Sequence, residues 1–153
     1  MSVLELKVPP PIVALVTALL MWLTPALAGI VVMPDLARVL GAVVMACIGQ
    51  GIGFAGVFAF KRAKTTVSPT KANLASSLVV QGVYRCTRNP MYLGFVVTLL
   101  AWAVFLANPM AVLWVLVFVL YITRFQIVPE ERVLISLFGA EYEVYKASVR
   151  RWL

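Results

Sequence analysis

Long apolar runs dominate this sequence and restrict what the chain can fold into. They cover residues 12–33 and 39–60, and then, after a basic loop, residues 91–107 and 110–125. A helix needs roughly 20 apolar residues to cross a bilayer. Only 12% of the residues are charged, whereas soluble domains average about 25%. The sequence therefore predicts an all-α integral membrane protein, a single domain with about four transmembrane helices.

The first two runs are expected to serve helix packing. The second carries several glycines, and small residues let membrane helices approach closely; these are Gly41, Gly49, Gly51, Gly53 and Gly56. The first run has an alternative interpretation as a cleaved signal peptide, because Lys7, the apolar run and Ala26-Leu27-Ala28 imitate its three regions. We assign residues 1–60 to two packing spans.

The distribution of basic residues predicts the orientation. Residues 61–88 hold six lysines and arginines and no carboxylate. If the amino terminus is cytoplasmic, Arg38 is the only basic residue left outside, so the positive-inside rule places both termini and this loop in the cytoplasm. The net charge of +7 is explained by anionic membrane lipids as partners, without nucleic acid. Residues 74–83 are apolar but too short to span, and should lie at the interface or re-enter.

The sequence favours neither a metal site nor a disulfide bond. Histidine is absent, so the usual zinc-ligand spacings cannot be assembled. Cys47 lies within an apolar run and Cys86 in the basic loop. The two thiols are therefore not expected to pair.

Two Asn-Pro dipeptides open the last two runs. Asn can cap a helix and Pro fits its first position, so Asn89-Pro90 and Asn108-Pro109 should each start a helix. The short connection between these runs predicts a tight helical hairpin.

Residues 129–153 read as an amphipathic cytoplasmic helix that Gly139 could break. Its apolar arc consists of Leu134, Leu137, Phe138, Tyr142, Tyr145, Val149 and Trp152. Glu130, Glu131 and Glu141 fall on or beside this arc, where a carboxylate is costly without a cationic partner. A ligand or an arginine is expected to meet them.

Simpler interpretations exist for these polar residues. Pro129-Glu130-Glu131 is typical of an ordinary helix start, with acids at the positive end of the helix dipole. Arg85 and Arg88 could extend to the headgroups, and Tyr84 and Tyr92 could be interfacial aromatics. The two motifs nevertheless occur at the two ends of one predicted hairpin, on the same side of the membrane, which favours a shared site.

Three segments together resemble a known family. They are the run GVYRCTRNPMYLG at residues 82–94, Glu130-Glu131, and FGAEYEVY at residues 138–145. This combination is similar to the isoprenylcysteine carboxyl methyltransferases and their phospholipid N-methyltransferase relatives, over about residues 65–153. One departure is Asn89, where the family usually has histidine; asparagine can hydrogen-bond but cannot carry a proton.

The resemblance implies S-adenosylmethionine as cofactor, bound at the cytoplasmic end of the last two spans. Glu130 and Glu131 would meet its ammonium group, and Arg85 or Arg88 its carboxylate. Aromatic faces would lie against the sulfonium. The implied cofactor-binding residues are Tyr84, Arg88, Asn89, Pro90, Tyr92, Gly94, Glu130, Glu131 and Tyr145, with Arg85, Arg88 and Glu131 as catalytic residues. Residues 61–153 would thus form a cofactor-binding catalytic core.

The acceptor is less restricted by the sequence. A lipophilic or lipid substrate suits a site in the membrane, and the resemblance favours carboxyl O-methylation of an isoprenylcysteine-like group over N- or S-methylation of a phospholipid amine or small thiol. Two other classes are an NADPH-dependent membrane reductase, since sterol reductases look like distant relatives, and a non-enzymatic membrane subunit.

Overall fold

The computed structural model describes residues 5–25, 29, 31–63 and 77–153. The α-helices are α1 (Pro10–Leu23), α2 (Asp35–Arg62), α3 (Pro90–Leu106), α4 (Ala111–Ile122), α5 (Val128–Phe138) and α6 (Ala140–Ser148). A 3₁₀ turn covers Gly82–Arg85, and a π-helical segment, Thr123–Ile127, joins α4 to α5. Within the described ranges no strand occurs, which confirms the all-α prediction there.

In the described part of the chain, two helices are long and apolar enough to cross a membrane by length and composition. They are α2 and the continuous helix Ala111–Phe138, each of 28 residues. The other two predicted spans are apolar but shorter, with 14 residues in α1 and 17 in α3. The first span ends at Leu23 rather than near residue 33, because Thr24 precedes a proline and takes an extended conformation. Ala26-Leu27-Ala28 lie outside the described residues, as do residues 64–76 of the basic loop.

Close approach of glycines holds α2 against α3. A Cβ atom on Gly94 would lie 2.6 Å from the carbonyl oxygen of Gly49, and a Cβ on Gly49 would lie 2.8 Å from that of Gly94. Gly56 likewise meets the first turn of α3. The structure confirms the predicted packing role at these positions, whereas Gly41 and Gly51 face open space.

The hairpin between α3 and α4 is confirmed. Ala107 takes a left-handed conformation with φ of 51°, and the backbone turns within residues 107–110. Asn108 Oδ1 accepts a hydrogen bond of 3.0 Å from the Met110 backbone N–H, and its amide donates one of 2.9 Å to the Thr24 carbonyl. The helix begins at Ala111, two residues later than the Asn-Pro pattern predicts.

A broad apolar surface covers the outside of these helices. Its side chains are each more than half exposed: Leu40, Val43, Val44, Ile48, Phe54 and Phe58 on α2, and Leu113, Leu116, Val117 and Leu120 on α4. Soluble proteins rarely expose contiguous apolar patches of this kind. The surface is typical of helices that contact hydrocarbon.

The carboxyl-terminal part differs from the predicted single helix. No break separates the fourth span from the tail, since the helix continues through the π segment to Phe138. The tail then divides at Gly139, whose φ of +50° favours glycine. Residues 149–153 are not helical. The predicted possibility of a break at this glycine is therefore confirmed.

The tail packs onto the segment before α3. Val79, Tyr84, Tyr142 and Tyr145 are buried together there, and Leu134, Phe138 and Val149 pack against them. Most of the predicted apolar arc thus forms this second core. Leu137 is 43% exposed, and Trp152 packs instead against the core between α1, α3 and α4.

Candidate active site

A small cavity lies where the end of α2, the 3₁₀ turn, the start of α3 and the two tail helices meet. Its volume is about 90 Å³. Polar and aromatic residues around it include Tyr84, Arg88, Asn89, Tyr92, Glu130, Glu131, Tyr142 and Tyr145, with Phe60, Leu78, Val79, Met91, Ile127 and Leu134 among the apolar ones. The structure therefore brings most of the predicted site residues to one place.

Glu131 lies between two arginines. Arg151 Nε donates to Glu131 Oε1 over 3.0 Å, and Arg151 Nη2 donates to Oε2 over 2.7 Å. Arg88 Nη1 lies 3.2 Å from Oε1. The hydrogen bond to Glu131 raises the pKa of Arg151. Both carboxylate oxygens are thus engaged by the protein's own cations.

Glu130 has a different environment from its neighbour. Its Oε1 accepts a hydrogen bond of 2.5 Å from the hydroxyl of Tyr92. Among the described residues no lysine or arginine lies within 4.0 Å of its carboxylate. A partly buried carboxylate with no cationic partner is costly, so Glu130 is the group in this cavity best suited to receive a positively charged ligand.

Three tyrosines form the aromatic wall of the cavity. The Tyr145 hydroxyl donates to the backbone carbonyl of Tyr84 over 2.8 Å, and Arg88 Nη1 donates to the Tyr142 hydroxyl over 3.5 Å. Burial raises the pKa of Tyr142 to about 12 and raises those of Tyr84 and Tyr145 as well. All three hydroxyls therefore stay protonated at neutral pH.

Two buried polar atoms of the site find no hydrogen-bond partner in the described part of the chain. They are the Tyr84 hydroxyl and Arg88 Nε. Tyr84 is 4% exposed and the Arg88 side chain 9%. Buried polar groups in proteins are nearly always satisfied. These atoms mark the places where a ligand would supply hydrogen bonds.

Asn89 does not cap α3 with its side chain, contrary to the prediction. Its Nδ2 donates to the backbone carbonyl of Arg151 over 2.9 Å, because the carboxyl terminus lies beside this turn. The Asn89 backbone N–H is bonded instead to the Thr87 hydroxyl at 3.2 Å. Pro90 occupies the first turn of the helix, as predicted, and is buried.

Three of the predicted site residues do not line the cavity: Arg85, Pro90 and Gly94. Arg85 is exposed at the end of the 3₁₀ turn. Gly94 lies in the α2–α3 contact opposite Gly49. The predicted catalytic and binding roles of the site residues remain predictions, but the geometry gives Gly94 a packing explanation.

Sequence reasoning missed Arg151 and Thr87. Arg151 is one of several tail arginines, and nothing in its spacing distinguishes it from Arg150. The pairing depends on Val149–Leu153 leaving the helical path and crossing the start of α3, which a helical wheel cannot show. The cost of Glu131 on the apolar arc was the one available signal that an arginine would meet it.

The cavity thus combines a carboxylate that meets no cation among the described residues, the buried Nε side of an arginine, and aromatic faces. An amino-acid-like zwitterion is complementary to the first two, since its ammonium and carboxylate groups would meet Glu130 and Arg88 respectively. A sulfonium or other soft cation suits the aromatic faces.

Sequence comparison relates this chain to methyltransferases. The sequence model of the phospholipid methyltransferase family matches residues 36–141. A protein-S-isoprenylcysteine O-methyltransferase of Schizosaccharomyces pombe is 30% identical over 106 residues, covering 67% of this chain and 44% of the relative. A probable protein-S-isoprenylcysteine O-methyltransferase of Oryza sativa is 34% identical over 113 residues, covering 72% of this chain and 58% of the relative.

A shorter relative has no described activity. An uncharacterized protein of Haemophilus influenzae is 52% identical over 63 residues, which is 41% of this chain and all of that protein. No solved structure matches the chain significantly. The chain spans about half the length of the isoprenylcysteine methyltransferases that it matches. Since the family match covers well over half of the chain, the protein belongs to the phospholipid methyltransferase family.

Proposed function

We propose that this protein is a membrane-embedded methyltransferase that uses S-adenosylmethionine and acts on a lipophilic acceptor. Family membership and the names of its relatives support the reaction class. One observation carries the cofactor assignment: a single cavity contains both an anionic and a cationic group that a ligand could bind. Glu130 meets no cation among the described residues, and Arg88 Nε has no hydrogen-bond partner among them.

The residues of the cavity fit this cofactor in chemistry. Glu130 would hold the α-ammonium group, Arg88 the α-carboxylate, and Tyr84 and the other tyrosines would lie against the sulfonium. In volume, about 90 Å³ is less than the roughly 300 Å³ at the lower end for ligand pockets. The tail helices and the segment before α3 must therefore move apart to admit the whole nucleoside.

The protein's contribution is binding, orientation and exclusion of water. When bound, S-adenosylmethionine supplies an electrophilic methyl group whose bond to sulfur breaks as the acceptor's nucleophile attacks. Glu130, Tyr92 and Arg88 would fix the cofactor so that this methyl group faces the acceptor. The apolar walls, formed by Phe60, Val79 and Leu134 among others, would keep water out.

A carboxylate acceptor is favoured over an amine or a thiol. A carboxylate is already ionised at neutral pH, so its methylation needs no base, whereas a protonated amine or thiol must first lose a proton. The chain contains no histidine, and Asn89 uses its side chain to hold the carboxyl terminus. Carboxyl O-methylation of an isoprenylcysteine-like substrate is consistent with both facts.

We place the protein in the cell membrane with four spans and with both termini and the cavity in the cytoplasm. Lys61 and Arg62 end α2 close to the cavity. The exposed apolar surface of α2 and α4 would face lipid. Anionic headgroups would contact the basic end of the molecule. Lipid access to the cavity from the side would suit a lipophilic substrate.

A binding and transfer assay on detergent-purified protein tests this proposal. We expect S-adenosylmethionine and S-adenosylhomocysteine to bind, and a labelled methyl group to pass to a small S-prenylated cysteine derivative with a free carboxylate. The corresponding prenylcysteine amide, which lacks the carboxylate, is the control acceptor. Binding of NADPH in place of both adenosyl ligands would favour a reductase and contradict the proposal.

A further inference from the structure

The last residues of the chain are fastened across the start of α3. The backbone N–H of Arg88 donates to the Arg150 carbonyl over 3.0 Å. The Arg151 carbonyl accepts hydrogen bonds from the Asn89 amide at 2.9 Å and from the Thr87 hydroxyl at 3.2 Å. These bonds fix Arg151 relative to Arg88, although the two residues are far apart in the sequence.

The two arginines do not share Glu131 equally. Arg151 binds the carboxylate with two hydrogen bonds, one to each oxygen, which is the strong bidentate geometry. Arg88 reaches only Oε1 with one terminal nitrogen, at 3.2 Å. The Glu131 side chain is 10% exposed and that of Arg88 is 9% exposed, so the pair is shielded from water.

The unequal sharing leaves one edge of Arg88 unused. Its Nε is buried and without a partner in the described part of the chain, and Arg88 lines the cavity. If Arg151 were absent, both oxygens of Glu131 would be available. The Arg88 guanidinium could then turn from its present Nη1 contact and bind them in the bidentate geometry, through Nε and Nη2 together. Arg88 would then have no such edge left for a ligand.

We propose that Arg151 is a positioning residue: by occupying Glu131, it keeps the Nε edge of Arg88 free for the carboxylate of the methyl donor. This inference rests on the proposed function, because it assumes that the cavity receives the amino-acid part of S-adenosylmethionine. It assigns Glu131 a supporting position in the site, with Glu130 as the carboxylate that meets the ligand.

A suppressor experiment separates this role from a purely structural one. The dissociation constant of S-adenosylhomocysteine is measured for the parent protein, Arg151→Gln, Glu131→Gln and the double variant. In Arg151→Gln, Glu131 should occupy the Nε side of Arg88. The affinity for S-adenosylhomocysteine should then fall by about 10-fold to 100-fold, as for the loss of one charge-assisted hydrogen bond. The double variant should recover to within about threefold of the parent, because the neutral amide that Glu131→Gln introduces no longer captures Arg88.

Arg150→Gln is the matched control. Its side chain is exposed, so this change should leave the dissociation constant within about twofold of the parent, as expected for a screened surface charge. If Arg151→Gln does not fold, Arg151→Lys replaces it in the single and the double variant. Lysine keeps the charge but cannot form the two parallel hydrogen bonds that Arg151 makes to Glu131. The single variant should therefore still bind S-adenosylhomocysteine more weakly than the parent.

Three results are decisive against the proposal or its basis. Parent-like binding by the Arg151 variant overturns the positioning role. A double variant that binds no better than the Arg151 single variant overturns it too, since a structural clamp would give that outcome. Failure of the parent protein to bind S-adenosylhomocysteine overturns the proposed function, and this inference with it. That outcome differs from the other two because it is seen in the parent protein, before any substitution is made.

Discussion

The hydroxyl of Tyr92 donates a hydrogen bond of 2.5 Å to Oε1 of Glu130. It joins the first turn of α3 to the first turn of α5, two elements that are 38 residues apart along the chain. This contact orients Glu130 at the cavity through a neutral partner, because tyrosine supplies a hydrogen bond and no charge. Its neighbour Glu131 is oriented by two arginines instead.

Arg88 should matter far more for cofactor binding than Arg85. The two side chains belong to the same motif, but Arg88 lines the cavity while Arg85 is exposed. We expect Arg88→Ala to weaken S-adenosylmethionine binding by about 10-fold to 100-fold, as for one hydrogen bond to a charged group. Arg85→Ala should change it by less than about twofold.

Isothermal titration of the two variants in the same detergent is the measurement. Arg62→Ala provides a second surface control at the end of α2, where the side chain is exposed. Equal losses for Arg88 and Arg85 would mean that the arginines act through the general charge of this end of the molecule and not through a pocket.

The α2–α3 contact should tolerate no side chain at Gly94. A Cβ there would lie 2.6 Å from the Gly49 carbonyl oxygen and 2.9 Å from a backbone nitrogen of α2, and backbone atoms cannot move aside cheaply. Gly94→Ala should therefore lower the free energy of unfolding by about 1–3 kcal/mol.

Gly51→Ala is the matched comparison for that change. A Cβ at Gly51 meets nothing within 4 Å, and alanine is the better helix former by about 1 kcal/mol. Thermal unfolding in detergent should show Gly94→Ala destabilised and Gly51→Ala unchanged or slightly more stable. The reverse order would contradict the packing described here.

The proposed orientation predicts which exposed positions a membrane-impermeant thiol reagent can reach in intact cells. With Cys47 and Cys86 first replaced by serine, Asp35→Cys should be labelled from outside. Arg62→Cys and Arg150→Cys should be labelled only after the membrane is opened, because the basic segments lie inside. External labelling at Arg62 would reverse the topology.

Much of the fold was accessible from the sequence because hydrophobic patterning is local. The apolar runs predicted the principal helices, and the glycines of the second run predicted close helix packing, although they did not identify α3 as the partner. The boundary at Leu23 depends on the proline at position 25. The continuous helix through Thr123–Ile127 was not predicted, since Pro129 looked like a helix start and a π segment has no clear sequence signal.

The candidate site was accessible to a smaller degree. The sequence predicts the motif at residues 82–94 and the two glutamates as site residues. It does not predict which glutamate pairs with the arginines, because nothing in the sequence distinguishes Glu130 from Glu131. The difference arises from Arg151, whose backbone carbonyl accepts hydrogen bonds from the side chains of Thr87 and Asn89. Such long-range contacts depend on how the tail folds back, which helical periodicity does not describe.

Glu130 provides the most direct test of the central claim, that this cavity binds S-adenosylmethionine through its charges. Glu130→Gln keeps the shape and the capacity for a hydrogen bond with Tyr92 but removes the charge. The loss of one partner from a buried charge pair costs about 2–5 kcal/mol, which is at least about 30-fold in affinity. Glu143→Gln is the control, since Glu143 is exposed and pairs with Lys146 across one helical turn.

The measurement is the dissociation constant of S-adenosylmethionine for the parent protein and these two variants, each shown to be folded by its thermal transition. We expect tight binding by the parent and by Glu143→Gln, with a loss of about 30-fold or more in Glu130→Gln. Parent-like binding by Glu130→Gln would contradict it.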